Sequence, residues 1–292
     1  MRRSMLLFFC LLVFVVPTYA QFTFTSIDFP GGTLTTARGI NNHGEIVGAY
    51  RIVAPRHAMV IKAGRYSALA PTTVLGTTYS EAFKSDDRGD VVGQYSGEDG
   101  LYHGFLLRKG ILTTLDFPGA SDTYAFGIND SGTVVGYWDL LDAEGNILAY
   151  HGFIWKNGSF EEVNFPGSGD SSILGINARG DLVGAWDSDI TSPTGHGFVC
   201  SKGQCFIVDV PVDGAIQTQV DDINANGQLV GAYIDADGAT HAFLMAGKAF
   251  ISFDYPGSTR TLAWGINSAG QIVGTYHTAD GSAYGFLAHP PK

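Results

Sequence analysis

Short apolar runs, a few residues long and bounded by glycine-containing turns, recur along the whole chain. In GINDSGTVVGYW, residues 127–138, Ile128 ends one run, Asn129-Asp130-Ser131-Gly132 interrupts it, and Val134-Val135 starts the next. Runs this short read as strands rather than helices. Asn opens such a turn through its side chain and Gly takes the positive-φ position that ends it, so the stretch predicts a hairpin. Pairs such as Ile46-Val47 and Val134-Val135 are apolar on both faces of their strand. That is the pattern of sheets stacked between neighbours, not of a sheet with one wet face.

The hairpin is written six times. Aligned on the turn asparagine, the copies fall at Asn41, Asp86 (a degenerate copy), Asn129, Asn177, Asn224 and Asn267, spaced by 45, 43, 48, 47 and 43. Seven residues on, each has a glycine: Gly48, Gly93, Gly136, Gly184, Gly231 and Gly274. Two further on stands an aromatic: Tyr50, Tyr95, Trp138, Trp186, Tyr233 and Tyr276. After a variable loop a third strand opens with His57-Ala58-Met59, His103-Gly104-Phe105 or a relative, and in the last copy with Tyr284-Gly285-Phe286. A fourth ends in Asp28-Phe29-Pro30-Gly31, Asp116-Phe117-Pro118-Gly119, Asn164-Phe165-Pro166-Gly167, Asp209-Val210-Pro211 or Asp254-Tyr255-Pro256-Gly257, with Ala70-Pro71 as a worn version.

Four short antiparallel strands every ~45 residues predict a propeller blade. A lone fourth-type strand at residues 22–29 precedes the first hairpin, and none follows Tyr284-Gly285-Phe286. The two ends complete each other if the N-terminal strand joins the last three. The expected fold is all-β, a six-bladed β-propeller with four antiparallel strands per blade, closed as a ring that leaves no open blade edge.

Units of the form G-I-N-x-x-G-x-[IV]-V-G-x-[YW], followed by H-[GA]-F, resemble the bacterial HAF-repeat family of extracellular repeat proteins. The name-giving triplet stands at His241-Ala242-Phe243, and the resemblance spans residues 22–287. It departs from the pattern at Lys84-Ser85-Asp86 and at Tyr284. The resemblance implies an exported bacterial protein and brings no catalytic residue set with it.

Composition supports this picture. Glycine makes up 39 of 292 residues, about 13% against the roughly 7% of ordinary globular proteins, as many tight turns require. Arg2 and Arg3 precede an apolar run over residues 5–16 and a small residue at Ala20, the layout of a secretory signal cleaved after Ala20. Twelve apolar residues are short for a bilayer span. We therefore expect a signal peptide at 1–20 and a single propeller domain at 21–292. The mature chain is expected to be a monomer without a membrane span, secreted, periplasmic or at the cell surface. Losing two arginines and no acids moves the net charge from −11 to −13, which argues against nucleic acid and anionic membranes as partners. Cys200 and Cys205 flank Ser201-Lys202-Gly203-Gln204 across a predicted hairpin. In an oxidising compartment a disulfide is favoured over free thiols, and two thiolates without further ligands do not complete a metal tetrahedron.

Candidate chemistry is sparse. The five histidines of the third strands lie about 10 Å from the axis, two strands out at ~4.8 Å each, on diverging blades. A hydrogen-bond post to the nearby Asp-Phe-Pro-Gly aspartate fits them better than a shared metal ion. The aromatics from Tyr50 to Tyr276 could stack sugars or pack between blades, packing being the favoured reading. No phosphate-binding glycine loop, nucleophile elbow or HExxH motif occurs. Acidic loops such as Asp235-Ala236-Asp237-Gly238, Gly97-Glu98-Asp99-Gly100 and Asp187-Ser188-Asp189 offer oxygen ligands, which makes Asp235 and Asp237 weak calcium candidates; solvated turns are the default, and no cofactor is expected.

Function is best sought where the repeats differ. On the innermost strands the unrepeated pairs are Thr36 and Arg38, Glu81 and Phe83, Tyr124 and Phe126, Ser172 and Leu174, Gln219 and Asp221, Leu262 and Trp264. They are placed at the axial mouth on the face that carries the long loops. Mixed charge, aromatics and amides in a concavity describe a ligand site. The expected activity is binding of a glycan, another surface polymer or a surface protein by Arg38, Glu81, Tyr124, Phe126, Asp221 and Trp264. One alternative is a polysaccharide hydrolase or lyase with Glu81 and Asp221 facing each other as acid and base. A non-catalytic scaffold, with these side chains plugging the channel, is the other.

Overall fold

The computed structural model describes residues 22–69, 77–187 and 194–291. The expected signal peptide at 1–20, the worn turn at Ala70-Pro71 and the acidic pair's Asp189 lie outside these residues. Six four-stranded antiparallel sheets form the six expected blades. We number them by their inner strands: Leu34–Ile40, Tyr79–Ser85, Asp122–Ile128, Asp170–Ile176, Gln217–Ile223 and Arg260–Ile266. Each inner strand touches the next, and the last touches the first, so the ring closes around an axis. Blade 6 is completed by the N-terminal strand Thr23–Ile27, paired with Ala283–His289 from Thr23 opposite His289 to Ile27 opposite Gly285. Neither chain terminus leaves a blade one strand short.

The repeated letters build this ring. In the inner hairpin of blade 3 the Gly132 amide donates to the Asn129 carbonyl at 2.8 Å, with Gly132 at φ 79°, and Asn129 Oδ1 accepts the amides of Ser131 and Thr133. Gly136 is required by close approach: a Cβ there would stand 1.8 Å from the Tyr124 carbonyl oxygen and 2.9 Å from the Phe153 ring. The third-strand triplet puts Met59, Phe105, Phe153, Phe198, Phe243 and Phe286 in full burial between sheets. Each such side chain contributes roughly 1.5–3 kcal/mol of hydrophobic stabilisation.

Neighbouring blades are joined by three repeated devices. The second-strand aromatics stack on the aromatic of the preceding blade's closing turn, as Tyr50 does on Phe29 and Tyr276 on Tyr255, both at 3.6 Å, and Trp138 on Phe117 at 4.6 Å. Inter-blade packing is therefore their role. Recurrent inner-strand hydroxyls hold the same turns, since Thr35, Thr123, Ser171 and Thr261 accept the amides of Phe29, Phe117, Phe165 and Tyr255. Lastly, each turn asparagine donates to the following blade's turn carbonyl: Asn41 to Asp86, Asn129 to Asn177, Asn177 to Asn224, Asn224 to Asn267 and Asn267 to Asn41. The circle breaks at Asp86, whose carboxylate has no hydrogen to give and binds Arg88 instead. The degenerate copy keeps its turn and loses its inter-blade bond.

Three of the five third-strand histidines are the expected posts. Nδ1 of His103, His196 and His241 meets Asp116, Asp209 and Asp254 at 2.8–3.0 Å. Cys200 and Cys205 face each other across their hairpin and form the disulfide. Asp235 is occupied within its own turn: Oδ1 accepts the amides of Asp237 and Ala239, and Oδ2 meets His241. Asp237 is exposed on the same turn. Among the described residues no three His, Cys, Asp or Glu side chains converge as a metal site, and no helix is long and apolar enough to cross a membrane.

Candidate functional site

Every inner strand carries a bulge at the same point, between residues 37 and 39 in blade 1 and at the matching positions of the other five. The residue left unpaired is Arg38, Phe83, Phe126, Leu174, Asp221 or Trp264. A bulge re-aims a side chain without ending the sheet, and here it frees six unrelated side chains from the repeat. In four blades the next residue is glycine, Gly39, Gly127, Gly175 or Gly265, which lets neighbouring inner strands come together. A Cβ on Gly39 would be 2.5 Å from the Phe83 carbonyl oxygen.

The two exceptions are Lys84 in blade 2 and Asp222 in blade 5. These blades are opposite, and the Lys84 ammonium pairs with the Asp222 carboxylate, both buried. The same carboxylate oxygen, Asp222 Oδ2, also accepts the Ile266 amide at 2.8 Å. The axis is thus crossed by a buried ion pair, and the residues on its loop-face side line a cup.

The cup is a cavity of about 350 Å³. One wall is aromatic: Phe126, Tyr137 and Tyr150, with Trp264 facing in from blade 6. Phe83 stacks on Phe126 at 4.1 Å, Phe126 on Tyr137 at 5.3 Å, and Tyr150 meets Tyr137 edge-on at 5.5 Å. The polar wall comes from blades 4 and 5, between blades 3 and 6, with Asp170, Ser172, Gln217 and Gln219 beside the apolar Leu174 and Trp186. Arg38 enters from blade 1, its guanidinium 4.0 Å over the Trp264 ring and 5.6 Å from the Phe83 ring. Such stacking on both sides fixes a side chain that would otherwise be mobile.

Of the six residues predicted to line the site, Arg38, Phe126 and Trp264 do so. Glu81 is buried behind them. It accepts from Thr36 Oγ1 at 3.0 Å, Arg38 Nε at 2.8 Å, Arg56 Nη1 at 3.2 Å and the Tyr79 hydroxyl at 2.6 Å. Burial alone would raise its carboxyl, but the two guanidiniums and the hydrogen bonds hold it at about 2. A carboxylate so committed has neither a proton to give nor a free lone pair facing the cup. Asp221 is its opposite. Burial pushes it up to about 8, with the neighbouring Asp222 charge adding to the effect against Gln219, Arg38 and Lys84. Gln219 Nε2 donates to one oxygen at 2.5 Å, and the other has no hydrogen-bond partner. Tyr124 stacks on Tyr137 at 4.6 Å and donates to Asp122 at 3.3 Å; burial and the nearby acidic groups raise its hydroxyl. Behind that tyrosine cluster Asp139 is pushed up to about 6 by burial and by Asp122.

Sequence reasoning missed Tyr137, Tyr150 and Gln217 in the cup, and the Lys84–Asp222 pair beneath it. Two of these carried a signal. Tyr137 occupies a second-strand position that is Ala49, Ala185 and Ala232 in other copies, and Lys84 and Asp222 break a glycine column in opposite blades with opposite charges.

The chain matches no family model and no curated protein. Solved structures do match it in fold. A protein of unknown function from Dyadobacter fermentans aligns with a TM-score of 0.56 at 9% identity, over 91% of this chain and 98% of that one. The Aleuria aurantia lectin, in complex with α-methyl-L-fucoside, aligns with a TM-score of 0.53 at 9% identity over 90% and 93% of the two chains. The β-propeller domain of the trilobed protease from Pyrococcus furiosus aligns at 0.53 and 11% identity, over 88% and 81%. At such identities the likeness is one of architecture, and what this chain is similar to is the six-bladed propeller as a class.

Proposed function

We propose that the protein is an exported, non-catalytic binding propeller that holds a saccharide in the loop-face cup. The observation that carries this reading is a cavity of about 350 Å³ in which the rings of Phe126, Tyr137, Tyr150, Trp186 and Trp264 stand among the polar groups of Gln217, Gln219, Ser172 and Asp170. Sugars present an apolar C–H face and a rim of hydroxyls, and this pairing of surfaces serves both. The fold likeness to a fucose-binding lectin supports the ligand class without transferring any residue. A glycosidase reading is disfavoured by Glu81, whose oxygens are spent on two arginines, a threonine and a tyrosine. Export rests on the leader-like residues 1–20.

The test is a glycan array followed by calorimetric titration of the best ligand. Saturable binding is expected, weakened at least tenfold by Trp264→Ala and by Gln219→Ala. Unchanged affinity in both variants would remove the cup as the site, and no saturable glycan binding by the native protein would overturn the function.

A further inference from the structure

Beside the cup, on the far side of Arg38 and Trp264, a second cavity of about 260 Å³ opens on the same face. Its charged lining is Arg38, Arg56 and Arg260, with His277 next to them and no acidic side chain. This is unusual in a chain with 17 basic and 28 acidic residues. Glu81 lies behind Arg38 and Arg56 and neutralises one of the three guanidiniums, leaving two positive charges in excess. Arg38 gives only Nε to Glu81, and Arg56 only Nη1 to Glu81 and Tyr79, so each keeps further N–H groups. Arg260 is exposed and, among the described residues, has no carboxylate within ion-pair distance. His277, paired with Arg260 across two strands, is held below the ordinary imidazole value by burial and by the Arg260 charge.

Guanidinium forks match carboxylates and sulfate groups two bonds at a time. Trp264 borders both cavities, so a sugar ring against it would reach the polar wall on one side and the arginines on the other. We propose that the ligand is an anionic saccharide, whose carboxylate or sulfate ester is held by Arg260 and Arg56 while the ring stacks beside Trp264. This rests on the saccharide reading of the cup and names the substrate class it would take.

The test is an array of oligosaccharides in matched sets: uronic-acid glycans beside their methyl esters, and sulfated glycans beside their unsulfated parents, read at 50 and 500 mM salt. Acidic members are expected to bind at least tenfold more tightly than their neutral partners, and the advantage is expected to shrink at high salt. Which arm binds, carboxylate or sulfate, identifies the anionic group. Arg260→Gln should erase most of the acid-over-neutral ratio, and Arg260→Lys should keep part of it. Arg260 is exposed at a strand end, so an unaltered melting temperature checks that the fold survives. Equal binding of acidic and neutral members, or a ratio untouched by Arg260→Gln, overturns the anionic subsite and leaves saccharide binding standing. No binding by any member overturns both readings.

Discussion

Replacing Lys84 with methionine keeps the length of the side chain and deletes the cation of the pair that crosses the axis. Asp222 would then stand buried, its side chain 3% exposed, with the Ile266 amide as its remaining described donor and with Asp221 as its sequence neighbour. Breaking a buried pair from one side costs about 3–5 kcal/mol, because the stranded charge loses its counter-ion without regaining water. For a chain of this size that is a fall in melting temperature of roughly 10 °C. Asp222→Asn keeps an oxygen for the Ile266 amide and strands Lys84 instead. Its cost should be smaller, because Asp221, relieved of a neighbouring charge, can ionise and answer the ammonium. The double variant Lys84→Met/Asp222→Asn leaves no buried charge at that level and should recover most of the loss. Urea unfolding followed by tryptophan fluorescence gives the four midpoints of the cycle, and a coupling above about 2 kcal/mol is expected. A Lys84→Met cost below about 1 kcal/mol, or single costs that simply add in the double variant, would refute the buried cross-axis pair as a structural element.

Asp221 makes stability fall with rising pH. The folded protein keeps its proton to about 8 whereas the unfolded chain releases it near 4, so folding loses stability between those values and no more above them. Asp221→Asn, which can still accept from Gln219, should become increasingly more stable than the native protein from pH 4 to 8; parallel stability profiles would contradict this. His103 and His241 each lie between two carboxylates, Asp99 and Asp116 or Asp235 and Asp254, which outweigh burial and raise both imidazoles. Their contribution is present below about 6.5 and lost as pH climbs through the raised values; titration by NMR should place both above, and His277 below, the ordinary imidazole, and three coincident curves would refute the assignment. Gly136→Ala should cost at least about 3 kcal/mol, since its methyl meets the Tyr124 carbonyl at 1.8 Å. Gly97→Ala, whose methyl meets the exposed Asp99 carboxylate at 3.2 Å and His103 Nε2 at 3.8 Å and no backbone, is the tolerant control, and equal unfolding midpoints for the two would be the contrary result.

The ring itself was legible in the chain, because each repeated letter performs a local task. Asn129 and Gly132 make a turn, Gly136 admits a carbonyl, Phe153 fills a sheet interface, and Trp138 stacks on Phe117; all of these are decided within one unit and its neighbour. Periodicity then gave the blade count, and the displaced strand at the N-terminus gave the closure. The unrepeated inner-strand residues were also legible as a set, and Arg38, Phe126 and Trp264 line the cup, yet their fates diverge for reasons no spacing contains. Glu81 is sequestered because Arg56, 25 residues before it in the loop that precedes His57, reaches it together with Arg38. Asp221 holds its proton because burial and Asp222 outweigh the surrounding polar groups. Lys84 and Asp222, 138 residues apart, become partners only when six blades close the ring and bring opposite strands within reach. Local rules fix the blade since turn and packing act over a few ångströms of nearby chain. The cup's charges and the pair across the axis are set by desolvation and by contact between distant strands, quantities that exist only once the chain has folded.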